Sequence, residues 1–132
     1  MNDYKGVIIE ESLSDNSVLD DVKILKTKVE EITPKHQTPW LKQWTLYTVE
    51  IPEGKAEGIA QKLSKVLDYS RNSSWYADFK NDQFAYIIFK NKIFKIRQDD
   101  AEGFKKAREH GISLGIPEYQ VDFVPNAKVW ES

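Results

Sequence analysis

Residues 75–97 read WYADFKNDQFAYIIFKNKIFKIR, and this stretch decides the fold. Seven aromatic residues (Trp75, Tyr76, Phe79, Phe84, Tyr86, Phe89, Phe94) surround two turn-forming tripeptides, Lys80-Asn81-Asp82 and Lys90-Asn91-Lys92. Aromatic and β-branched side chains suit a pleated, half-buried surface, whereas Asn and Asp favour the tight turns between strands. The stretch predicts a three-stranded antiparallel meander in the middle of a β-sheet core.

Three further strands are expected on its N-terminal side. Residues 4–10 hold a Val7-Ile8-Ile9 core suited to burial on both faces. In residues 22–32, Leu25, Thr27 and Val29 alternate with Lys26, Lys28 and Glu30, the period-two pattern of a strand with one wet face. Residues 41–51 carry apolar or aromatic groups on both faces, and the Pro-rich 33–39 before them is a loop. Pro52 suits the start of a helix over 53–68, where Ala56, Ile59, Ala60, Leu63, Val66 and Leu67 form one apolar stripe. After the meander, Asp99 and Glu102 match a capping box, so a short helix should begin near Asp100 and stop at Gly111. Residues 121–124 suit a short edge strand and 125–132 a loose tail. Short connections favour antiparallel pairing. The expected fold is α+β, an antiparallel sheet of five to six strands with two helices packed on one face, in one domain over 1–124.

A length of 132 residues, 40% hydrophobic and 30% charged, is that of a soluble globular domain. No apolar run approaches the roughly 20 residues that span a bilayer, and the acidic flanks of the first apolar run do not resemble a secretory signal. A cytoplasmic location is the default. The absence of cysteine excludes disulfides, thiol nucleophiles and Cys-type metal sites. A net charge of −2 argues against nucleic-acid binding. The charge is uneven, with a net of −5 over residues 1–21 and +4 over residues 80–108.

Three blocks, YKGVIIEESL from Tyr4, TPWLKQWTLYTVEIP from Thr38 and GISLGIPEYQVDF from Gly111, stand with the meander over most of the chain. Together they resemble a small family of uncharacterised prokaryotic proteins with no assigned activity. The resemblance implies a stand-alone prokaryotic domain and carries over no functional residue.

Candidate chemistry rests on few side chains. His36, in the Pro-bounded loop, suits proton transfer near neutral pH, whereas His110, in the last turn of the second helix, complements the helix dipole. Asp78 shares a strand face with Tyr76 and Lys80. If that face is solvated it is a surface acid; if covered, its pKa rises and it becomes a candidate acid or base. The acidic pairs are adjacent residues that point to opposite strand faces, so no metal site is expected. No glycine spacing matches a phosphate loop, and no cofactor is expected. The leading expectation is a non-enzymatic domain that binds a protein or small molecule through an aromatic-lined cleft formed by Trp40, Trp44, Tyr47, Trp75 and Tyr76. The alternative is a small enzyme that uses His36 or Asp78 as acid or base. Because residues 41–51 are apolar on both faces, Trp44 or Tyr47 should be covered by the C-terminal segment around Trp130 or by a second chain, with a homodimer favoured.

Overall fold

The segments richest in β-branched and aromatic residues form six strands: β1 (Tyr4–Ile9), β2 (Lys23–Glu31), β3 (Gln43–Ile51), β4 (Ala77–Lys80), β5 (Phe84–Phe89) and β6 (Lys92–Arg97). Two helices, α1 (Ala56–Val66) and α2 (Ala101–Ser113), follow β3 and β6. The structure is a computed structural model that describes residues 3–31, 43–68 and 75–116. The expected strand at 121–124 and tail at 125–132 lie outside these residues, as do His36, Trp40 and Trp130.

All strand pairs are antiparallel, in the order β2-β3-β1-β4-β5-β6. The meander exists as expected but forms one half of the sheet, with β6 at an edge. The middle belongs to β1, which joins the β2–β3 hairpin to the meander. Gly6 at its centre lies opposite both Val49 and Phe79. At the β4–β5 turn, the Asn81 Oδ1 accepts hydrogen bonds from the backbone N–H of Gln83 and Phe84. Asn91 turns the chain between β5 and β6 with a φ of 60°, a left-handed conformation that Asn tolerates.

One feature of the expected fold is corrected: the helices lie on opposite faces of the sheet. On the first face, Phe79, Tyr86, Ile88 and Val49 pack with Ile59 and Leu63 of α1. On the second, Ala85, Ile87, Phe89 and Ile96 pack with Phe104 and Ala107 of α2. The physical reason is β5, FAYIIF, apolar at every position. Successive strand residues face opposite ways, so a run without polar alternation needs a cover on each side.

The ends of the helices also differ from expectation. Residues 53–55 form a 3-10 turn and α1 proper starts at Ala56. Its C-terminal end is pinned to the β5–β6 turn, where the Ser64 hydroxyl donates to the Phe89 carbonyl and the Asn91 N–H to the Ser64 carbonyl. The N-cap of α2 is Asp100, which accepts from the Gly103 N–H, and the helix runs through Gly111 to Ser113. Gly111 is buried, and Gly115, at φ 89°, is the glycine that ends the helix.

β2 is the other edge. It was expected to have one wet face, yet Ile24, Leu25 and Val29 are all exposed, and a bulge interrupts its register between Ile24 and Lys26. In the acidic N-terminal segment Asp21 bonds to Lys62 of α1, and in the basic 80–108 segment Arg97 bonds to its neighbour Asp99.

Candidate functional site

β4 sets the site. Ala77 and Phe79 point into the first core, which directs Asp78 and Lys80 to the second face beside Tyr76. Asp78 lies opposite Val7 of β1 and Ile87 of β5, both buried. The Tyr76 ring stands 6.1 Å from Phe89, whose ring also meets His110 at 4.8 Å. The site therefore sits at a seam. α2 covers the β5–β6 side of this face, whereas no described helix lies over the β1–β3 side.

Electrostatics follow from that position. Asp78 keeps part of its surface open to water, but protein surrounds it closely, and burial pushes its carboxyl up to about 6, with Lys80 opposing the rise. Lys80 is held below the usual ammonium range by burial, offset by Asp78. Tyr76 is raised by burial and then by the negative charge of Asp78. Among the described residues, no hydrogen bond reaches the Asp78 carboxylate. The condition set by the sequence is met: the side that Asp78 faces is enclosed.

The other expected site residues are placed as follows. Trp44 and Trp75 are 6% and 7% exposed and meet edge to face at 5.2 Å, so both indoles are enclosed by the fold. Trp44 is buried within a single chain, and no second copy is needed to cover it. The Tyr47 hydroxyl donates to Glu10 at 2.9 Å, a bond that raises its pKa. Next to it, Glu11 accepts from the Thr45 N–H and hydroxyl where β1 no longer reaches β3. These residues are not gathered around one centre; Tyr76, Asp78 and Lys80 are. His110 lies in the last turn of α2, as expected, and is the basic residue of that turn. It packs on Phe89 and Phe94, and burial followed by Lys92 pushes its pKa down.

Sequence reasoning missed a second polar cluster, on the first face. The Tyr86 hydroxyl donates to Glu57 at 3.1 Å, and its ring stacks on Phe79 and meets Tyr4 edge-on. Its only sequence signal is a carboxylate in the first turn of a helix that packs on an aromatic strand. Among the described residues no group of three or more acidic or histidine side chains is placed to hold a metal, and no helix is long and apolar enough to cross a membrane. No family model, curated protein or solved structure matches the chain.

Proposed function

We propose that this chain is a small cytoplasmic binding domain that receives a polar small molecule at Tyr76, Asp78 and Lys80, with Asp78 as the anchoring acceptor. One observation carries the reading: an enclosed carboxylate reached by water but by no hydrogen bond among the described residues. Enclosing such a group is costly unless a donor satisfies it, and a ligand bearing an ammonium or N–H group is such a donor. Lys80, two residues along the strand, offers the opposite charge roughly 7 Å away, matched to a ligand with an acceptor at its other end.

Amide and carboxyl NMR with a fragment set of small amines, amino acids and carboxylic acids tests this. Amine-bearing fragments should shift resonances of residues 76–80 and of Val7, lower the Asp78 pKa, and lose binding in Asp78→Asn. Fragments that bind elsewhere, or none that bind, would refute it. The second reading, acid–base catalysis, rests on the same carboxyl, since a group titrating near 6 exchanges protons readily at neutral pH. Turnover of a bound fragment that follows the Asp78 titration would favour it.

A further inference from the structure

β2 reads KILKTKVEE, with lysine at 23, 26 and 28 and glutamate at 30 and 31. Of the four large apolar side chains exposed among the described residues, three lie here: Ile24 and Leu25 at 43% and Val29 at 54%. Among the described residues β2 is an edge that pairs only with β3. The direction of its free backbone groups follows from Thr45. That residue turns its N–H toward Glu11, on the β1 side of β3, and therefore away from Val29, its partner on β2. Opposed residues of an antiparallel ladder alternate between bonded and non-bonded pairs. Val29 and Thr27, opposite Thr45 and Tyr47, are then non-bonded to β3 and point their N–H and C=O groups outward, as does Glu31.

We infer that this edge joins two copies of the chain, β2 against β2, antiparallel about a twofold axis through Val29. The order of charge along the strand selects a second copy as occupant. Lysines first and glutamates last are complementary to the same strand reversed. Centring the pair on Thr27 sets Lys26 against Lys28 twice, and centring it on Lys28 or Glu30 sets that residue against itself. Centring it on Val29 places Lys28 opposite Glu30 twice, Thr27 opposite Glu31 twice, and Val29 opposite Val29, with no like charges opposed. Lysines and a bulge guard strand edges against adventitious pairing; here they leave one register open. The sheet becomes continuous over twelve strands. This seam is independent of the Asp78 reading.

The chain has no cysteine, so any disulfide that joins two protein thiols of a single-cysteine variant is between copies, distinct in mass from a glutathione adduct. In a glutathione redox buffer Val29→Cys should form a disulfide dimer. Thr27→Cys should not, because its twin lies beyond the about 7 Å that a disulfide can bridge. In sedimentation velocity the wild type should dimerise with concentration. Val29→Lys and Thr27→Pro should each weaken this about tenfold or more; the proline removes an outward N–H and spares the β3 ladder. Urea melts check that both variants fold, and if either does not, the cysteine pair decides. A wild type that stays monomeric to about millimolar concentration, a dimer that survives both folded variants, or equal cross-linking at 27 and 29 would overturn the seam.

Discussion

At Gly6 a β-carbon would come within 2.1 Å of the Asp78 carbonyl oxygen and 2.7 Å of Phe79 Cα. Backbone atoms cannot swing aside as a side-chain tip can, so β1 and β4 would have to part where they pair. The missing side chain makes room for Phe79, which fills the space between Tyr4 and Tyr86. Gly6→Ala is expected to lower stability by about 3 kcal/mol in urea melts; a loss well under about 1 kcal/mol would mean that the strands separate there easily. Asp78 gives the opposite sign. Its carboxyl is raised from 3.8 to about 6 in the folded state, so between these values the folded chain binds more protons and stability falls as pH rises. Above the window the full penalty applies, of order 3 kcal/mol at most. Asp78→Asn should therefore stabilise the protein at pH 7.5, with the gain fading by about pH 4. A variant less stable than wild type at pH 7.5 would show that the carboxylate is supported by the fold, which removes the ground for assigning it a ligand.

The two helices tie the two faces to different solution behaviour. Leu63 of α1 and Ile87 of β5 are both buried but in different cores. Replacing either with Ala should cost about 2–5 kcal/mol by lost burial and a cavity, and a change within about 0.5 kcal/mol in urea melts would contradict that packing. α2 has a further sensitivity, because His110 is one of its contacts with Phe89 and Phe94. A histidine whose folded pKa is depressed binds protons more readily when unfolded, so its contribution is present above its ordinary value of 6.5 and is lost as pH falls below it. Hydrogen exchange in α2 should therefore accelerate relative to α1 between about pH 7 and 5, and His110→Phe should remove the difference. An unchanged ratio would show that His110 does not hold α2. The existence of both helices was legible from apolar spacing and caps. Their placement on opposite faces was legible only in β5, whose lack of polar alternation outweighs the economy of a single covered face.

For the molecule as a whole, sequence reading recovers the α+β class and all six described strands, because each strand carries its own local pattern. It does not recover their order. Nothing local in Tyr4–Ile9 states that it pairs with Ile51 at one edge and Lys80 at the other. The site divides in the same way. Tyr76, Asp78 and Lys80 were legible as one face of one strand, whereas the contacts of Tyr47 with Glu10 and of Tyr86 with Glu57 join residues far apart in the chain. Pairings of such long sequence separation slow folding. Refolding in stopped flow is expected on a scale of about milliseconds to seconds, and microsecond refolding would argue that β1 is not the element that completes the sheet.

The central place of β1 has a consequence for how the chain is made. Translation delivers this strand before either of its neighbours. At about 5–20 residues per second, Lys80 follows Lys5 by about 4–15 s. The nascent chain carries Val7, Ile8 and Ile9 with neither neighbouring strand until β3 is made, and then with only β3 until the end of that interval. Such a segment is a natural client for a ribosome-associated chaperone, and the sheet closes only when β4 emerges to take it.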